Sequence, residues 1–305
     1  MRWYIDPIDG TTLLANGLPN AISAVAIAER GALFDPRGIF YMNKLAVGPA
    51  CRGAIDINAS VAENLHRIAE AKRYRVDELT VVVLDRERHA PLIAEIRAVG
   101  ARIKLIAHGD IAGGVMPALE ETGVDVLMGI GGTPEAVITA CALKCLGGEI
   151  QCKAWPRNEA DRRRCHEVGL DPDRVLQVED LAAGDDIFFA ATGLTDGELL
   201  RGVRYTAEGA KTYSLAMRAR SGTVRRVEAV HHLGKLMQIA NQKAAGGPIK
   251  EDHVTAIVRE IVPDPFKTNI LKAYATMGDV DISKVEDIIA KNPGGEETLI
   301  TILHA

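Results

Sequence analysis

The order of hydrophobic patterns predicts an α/β fold built on a mainly parallel sheet. Short apolar runs, such as "LTVVVLD" at 79–85 and "VDVLMGIGG" at 124–132, have the length of buried strands. Stretches of helical spacing alternate with them, and polar turns follow the runs. In chain order, "ISAVAIAE" (22–29) and "KLAVGPA" (44–50) read as strands bounded by Gly and Pro. "SVAENLHRIAEAKRY" (60–74) reads as a helix, with Ser60 as N-cap and Glu63 completing a capping box. The strand at 79–85 leads into a helix, "APLIAEIRAVGA", that closes on Gly100. "RIKLIAHGD" (102–110) repeats the strand-to-turn pattern, "VDVLMGIGG" repeats it again, and a helix begins near Pro134. "DIFFAATG" (186–193) is a further strand, and the alternation around "SGT" within 212–236 predicts a hairpin. Beyond Leu236 the composition changes. "NQKAAGGPIKEDH" reads as a linker, and helical pieces with a short terminal strand follow, so 237–305 is expected to be a small, mostly helical appendage.

With 305 residues the chain can bury one large core or two smaller ones. Its formal charge of −5 gives no basic footprint for a nucleic acid. No apolar run approaches the ~20 residues that span a bilayer, and the first residues show no signal-peptide pattern. A cytoplasmic protein with neither a nucleic-acid nor a membrane partner is expected. The five cysteines, at 51, 141, 145, 152 and 165, lack the spacing of a zinc site. They are read as reduced, structural thiols.

In open α/β sheets ligands gather beyond the carboxyl ends of strands. "DPIDGTT", "LDRERH", "AHGD" and "GIGGTPE" all fall at such ends. Asp6 and Asp9 offer hard oxygen ligands suited to Mg²⁺ or Mn²⁺. Pro7 fixes the backbone between them, and Gly10 lets the chain approach an anion. A helix opening at Thr11 would turn its N–H groups toward a phosphate, and the Thr11 hydroxyl would orient a water. The plainer reading of this turn is an Asx-type helix cap. In "GIGGTPE", Gly131 and Gly132 permit close backbone approach and Glu135 projects a carboxylate from a first helical turn. Alone, that glutamate would merely complement the helix dipole; beside the acidic opening turn it suggests a shared metal site. His231 and His232 are read as structural or exposed rather than as a metal pair.

Taken together, these segments resemble the class II fructose-1,6-bisphosphatase family, the bacterial type within the lithium-sensitive sugar-phosphatase superfamily. The likeness lies in "DPIDGTTL" (6–13), "YMNKLAVGP" (41–49), "LDRERH" (84–89), "HGDIAG" (108–113), "GIGGTPEAVITA" (129–140), "FFAATGLTDGELLRGVRY" (188–205) and "SGTVRRVEAVHHLGKL" (221–236), and runs over roughly 3–236. The aspartate signature is shared across the superfamily, whereas Gly-Gly-Thr-Pro-Glu is specific to class II. The late Trp-Asp-x-Ala motif of inositol-monophosphatase-like enzymes is not found.

The resemblance implies an α/β layered sugar-phosphatase fold (α-β-α-β-α) and hydrolysis of fructose 1,6-bisphosphate to fructose 6-phosphate in gluconeogenesis, with a link to glycerol metabolism. Sedoheptulose 1,7-bisphosphate is an alternative substrate. It assigns Asp6, Asp9 and Glu135 to Mg²⁺ or Mn²⁺, with Asp9 where many members have Glu, and gives catalytic roles to Thr11 and Asp9. Substrate contacts fall to Asp9, Gly10, Thr11, Tyr41, Arg86, Glu87, Arg88, His108, Gly109, Asp110 and Gly132. Arg86 replaces a Lys of some members, and His108 an acidic residue. The partner is a phosphorylated sugar, and a homo-oligomer is expected.

Members of this family carry a further region before the aspartate turn, with two more metal carboxylates, one of them in a Gly-Glu-Gly-Glu segment. The chain is therefore expected to lack the N-terminal part of the fold: 1–60 is read as a remnant of a first sheet with exposed edges, and 61–236 as a second α/β layer. "NPGGEE" at 292–297 is not taken as a substitute. A truncated or mis-started product, a site completed by a partner chain, and an inactive sugar-phosphate binder are the explanations left open. An interaction protein working through 237–305 is the second function class.

Overall fold

The computed structural model describes residues 2–35, 39–207, 209–232 and 234–235. The appendage expected over 237–305 lies outside the described residues. The chain runs through β1 (Arg2–Asp9), α1 (Thr11–Ala15), β2 (Ile22–Ala28), β3 (Tyr41–Val47), α2 (Val61–Lys72), β4 (Thr80–Leu84), α3 (Ala90–Val99), β5 (Arg102–Ile106), α4 (Ile111–Val115), β6 (Val126–Gly132), α5 (Thr133–Leu146), β7 (Glu149–Ala154), α6 (Glu159–Glu167), α7 (Val178–Leu181), β8 (Phe188–Gly193), β9 (Arg204–Tyr205), β10 (Gly209–Arg218) and β11 (Thr223–His232). Two compact units result. The larger comprises Arg2–Val203 and Thr212–Ala229. Of the smaller, the described part includes β9, which pairs antiparallel with Ala210 and Lys211.

A six-stranded sheet has the order β1-β2-β8-β10-β11, with β9 beside β10; a five-stranded sheet has the order β5-β4-β6-β3-β7. The layered α/β fold stands, but the expectation of a mainly parallel sheet does not. Only β4 pairs parallel, with β5 and β6; β3 is antiparallel to both β6 and β7, and every strand pair of the first sheet with a described register is antiparallel. An apolar run buried on both faces reads alike in either direction, so the sequence could not tell them apart. Nor do the sheets divide near residue 60. β3 joins the second sheet, and β8, β10 and β11 return to the first.

Alternation sorts the strand residues into layers. Ile22, Ala24, Ala26 and Ala28 of β2, with Phe189 and Ala191 of β8, share one core with α5 and with Met42, Ala46, Val82 and Leu127 of the second sheet. Leu45, Val47, Val81, Val83, Val126 and Met128 point the other way, into a second core with Leu65 and Ile68 of α2 and Ile93 and Ile96 of α3. The described residues thus stack sheet, helices, sheet, helices. α5 is buried almost all round, Ala136 through Leu143 included, as a helix between two sheets must be. The capping box on α2 forms as expected: Glu63 N–H donates to Ser60 Oγ at 3.2 Å, and Ser60 N–H to Glu63 Oε2 at 2.9 Å. α3 ends at Gly100 with φ 96°, a left-handed cap. All five cysteines are buried free thiols, and burial pushes those of Cys145 and Cys152 up to about 12. They are inert packing groups at neutral pH. Among the described residues no helix is long and apolar enough to cross a membrane.

Candidate active site

Asp6 and Asp9 are three apart in one strand, a spacing that should place them on opposite faces. A bulge resets the parity. Asp6 pairs with Ala24 and Asp9 with Ile22, so one extra residue of β1 is accommodated between them. Tyr4, Asp6 and Asp9 therefore all face inward, at 1%, 8% and 4% exposure. Pro7, which has no N–H to lose, lies in the bulge, and Ile8 N–H donates to Asp6 Oδ1 at 3.1 Å. Gly10 follows at φ 84°, the left-handed turn that starts α1 and leaves Thr11 exposed on its first turn.

The carboxyl ends of β5 and β6 close over these aspartates. Asp9 Oδ2 accepts the Ile111 N–H at 3.0 Å. Gly109, at φ 70°, lies so near that a Cβ there would sit 3.0 Å from Asp9 Oδ1. Asp110, 4% exposed, is 2.6 Å from the Lys44 ammonium, which is 2% exposed. Lys44 occupies the inward position of β3 between Met42 and Ala46. Gly131 leaves room for this pair: a Cβ would fall 1.8 Å from Asp110 Oδ2. A Cβ on Gly132 would fall 1.9 Å from Glu135 Oε2. That oxygen is sealed from solvent and has no hydrogen-bond partner among the described residues, although Glu135 as a whole is half-buried.

These carboxyls feel one another. Burial, then the charges of Asp6, Asp110 and Glu135, hold Asp9 well above the usual carboxylate range against the Ile111 hydrogen bond. Burial pushes Glu135 up to about 7; Lys44 opposes this, while Asp110 and Asp6 add to it. Among the described residues no three His, Cys, Asp or Glu side chains stand close enough together to ligate a metal ion. The donor set nonetheless suits a hard divalent cation. It consists of carboxylate oxygens, one of them an orphan, in buried surroundings where a positive charge would reverse the mutual repulsion.

A basic and aromatic wall stands beside the acidic cluster. Arg86 donates through Nη2 to His108 Nδ1 at 2.8 Å, which makes that nitrogen an acceptor and the ring neutral in this contact. Arg88 donates to the Ile130 carbonyl at 2.9 Å and lies over the Tyr41 ring, 5.2 Å from its centroid. Tyr41 pairs across β3 and β6 with Gly132. Glu87 is exposed on the same turn as the arginines. His231 is half-buried and His232 exposed.

Residues 2–231 match the family described as bacterial fructose-1,6-bisphosphatase, glpX-encoded. The chain belongs to this family. Two relatives, from Synechococcus sp. (strain JA-3-3Ab) and Synechococcus elongatus (strain PCC 7942), are each 43% identical over 240 residues, covering 74% of this chain and 69% of their own. Both bear the name D-fructose 1,6-bisphosphatase class 2/sedoheptulose 1,7-bisphosphatase.

Lys44, His89, Trp155 and Arg157 went unnoticed in the sequence of this fructose-bisphosphatase family member. Lys44 left a trace, a charge amid the inward residues of a strand. His89 is 1% exposed and bridges two segments: its Nδ1 lies 2.7 Å from the Leu84 carbonyl, and its Nε2 accepts the Ile130 N–H at 2.7 Å. Nδ1 therefore carries the proton and the ring is neutral. Gly129, at φ 134°, makes the approach possible, since a Cβ there would sit 3.0 Å from His89 Nε2. Burial first, and the charges of Arg88 and Arg86, lower the His89 pKa; the Leu84 hydrogen bond and Asp110 oppose them. A group depressed below its unfolded value of about 6.5 favours folding above that pH and loses its contribution as pH falls toward the folded pKa. The difference in urea midpoint between the full chain and His89→Gln, which does not titrate, isolates this contribution from the raised carboxyls of Asp9 and Glu135, which favour folding as pH falls. That difference should shrink between pH 7.5 and 5.5; a difference that stays the same would remove His89 as the cause.

Proposed function

We propose that the chain hydrolyses the 1-phosphate ester of fructose 1,6-bisphosphate, giving fructose 6-phosphate and phosphate. The observation that carries this reading is the electrostatic coupling of the carboxyls of Asp6, Asp9, Asp110 and Glu135, with Arg86 and Arg88 on neighbouring turns, in a chain of this family. Asp6, Asp9 and Glu135 would hold Mg²⁺ or Mn²⁺. Such ions, when bound, lower the pKa of a water and neutralise charge on phosphoryl and leaving oxygens.

The chain's own groups supply the rest. The Thr11 Oγ, on the exposed first turn of α1, accepts a hydrogen bond from the attacking water and orients its lone pair toward phosphorus. Gly10, Gly109 and Gly132 let backbone stand close to the substrate where a side chain would fill the space. Arg86 and Arg88 offer planar forks to anionic oxygens, and His108 steadies the first of them. Asp110, held by Lys44, is set to accept hydrogen bonds from sugar hydroxyls; Tyr41 and Glu87 complete the substrate contacts.

Sedoheptulose 1,7-bisphosphate is the second reading, favoured by the double name of the relatives. The wider role is that of a cytoplasmic, homo-oligomeric enzyme of gluconeogenesis and glycerol metabolism. Phosphate release from both bisphosphates should be measured with Mg²⁺ or Mn²⁺, after chelation, and after metal is restored. Release from fructose 1,6-bisphosphate that chelation stops and metal restores is expected. Release from neither ester, or an unchanged rate after chelation, would sink the reading.

A further inference from the structure

The stretch Trp155–Asn158 follows β7 and carries no family motif noted above, yet it lies against the candidate site. Trp155 N–H donates to the Tyr41 carbonyl at 2.9 Å, and the two rings meet edge to face at 6.2 Å and 85°. Two residues on, the Arg157 guanidinium lies 5.5 Å from the Tyr41 centroid and 5.2 Å from that of Phe40. Its orientation is fixed from behind: Nε donates to Asp161 Oδ2 at 2.8 Å, and the Arg157 N–H donates to the same oxygen at 3.2 Å. Asn158 caps α6 by accepting the Asp161 N–H at 2.9 Å, which in turn sets the position of that carboxylate.

Two guanidinium groups thus converge on one aromatic ring. Arg88 arrives from the turn after β4, anchored on Ile130, and Arg157 arrives from the strap after β7, anchored on Asp161. Tyr41 is at the same time the cross-strand partner of Gly132, against which the Glu135 carboxylate rests. The layout has an acidic end, the carboxyl of Glu135 against Gly132, and a cationic end, the two guanidiniums over the ring. A bisphosphate has one ester to be cleaved and one phosphate to be held, and these ends match that division. Arginine is the apt residue for the second task, because its planar fork takes two phosphate oxygens at once.

Resting on the proposed bisphosphatase reading, we propose that Arg157 is a substrate-binding residue which, with Arg88, grips the phosphate that is not hydrolysed and sets the preference for bisphosphates over monophosphates. Asp161 is its positioning residue.

The test compares KM and kcat for fructose 1,6-bisphosphate and fructose 1-phosphate in the full chain, Arg157→Ala, Arg157→Lys and Asp161→Asn. Fructose 1-phosphate keeps the reacting ester and lacks the remote phosphate. Arg157→Ala should raise the KM for the bisphosphate about 10- to 100-fold, the worth of a lost charge-assisted contact, with kcat changed less than about twofold. The ratio of the two KM values should shift by the same factor. Arg157→Lys should fall between, since it keeps the charge and loses the fork; Asp161→Asn should shift the ratio in the same direction by less. Urea midpoints of all variants report that each folds. If the full chain cleaves the bisphosphate and Arg157→Ala leaves the KM ratio within about twofold, the proposal fails while the bisphosphatase reading stands. If the full chain cleaves neither ester, both fail together.

Discussion

Lys44→Met is expected to lower the free energy of unfolding by about 3–5 kcal/mol, the cost of removing one partner from a buried ion pair. Both members of the pair are sealed, with side-chain exposures of 1% for Lys44 and 4% for Asp110, and they meet at 2.6 Å. A lysine there has given up its hydration, and in a purely apolar strand a methionine would suit the core better. What makes the ammonium favourable is its surroundings: Asp110 touches it, and its charge also opposes the rise in the Glu135 pKa. Taking it away leaves Asp110 buried without its counter-ion and strips the acidic cluster of a nearby cation. Urea unfolding at neutral pH measures the loss. Combining Lys44→Met with Asp110→Asn should recover a substantial part of it, because the uncompensated charge is then gone as well. A single-variant loss under about 1 kcal/mol would mean that the pair contributes little.

The sequence disclosed the fold in proportion to how local each signal was. The capping box at Ser60 and Glu63, the stop at Gly100 and the helix opening at Pro134 are written within a few residues, and all appear where they were expected. Strand direction is not local. β3 runs antiparallel to β6 because of connections far along the chain, and nothing in "YMNKLAV" records that. The candidate site shows the same divide. Asp6, Asp9, Asp110 and Glu135 were legible through motifs, and their charges do reach one another. The bulge that puts Asp6 and Asp9 on one face, the bridge from His89 to Ile130 and the guanidinium of Arg157 over Tyr41 depend on partners distant in sequence. Those had to be seen in three dimensions.

Gly132→Ala should separate activity from stability, and its neighbour Gly131→Ala should not. Gly132 has φ −65° and ψ 146°, a backbone that alanine adopts without strain. What the new methyl meets is the tip of Glu135, 1.9 Å from Oε2. A glutamate tip can swing aside at little cost, so the unfolding free energy should move by less than about 1 kcal/mol. The carboxylate then leaves its place against Gly132, and a displacement of about 1 Å at a reacting centre costs about 100-fold in rate. Phosphate release by Gly132→Ala should therefore fall about as far as in Glu135→Gln. At Gly131 the methyl meets Asp110 Oδ2 at 1.8 Å and the Lys44 ammonium at 2.9 Å, a short side chain clamped in an ion pair that cannot turn away while the pair survives. Gly131→Ala should lose activity and about 3 kcal/mol of stability together. Parallel urea unfolding and phosphate-release measurements on the two alanine variants read both quantities. Near-normal turnover in a folded Gly132→Ala protein would show that the position of Glu135 Oε2 is not what the chemistry depends on.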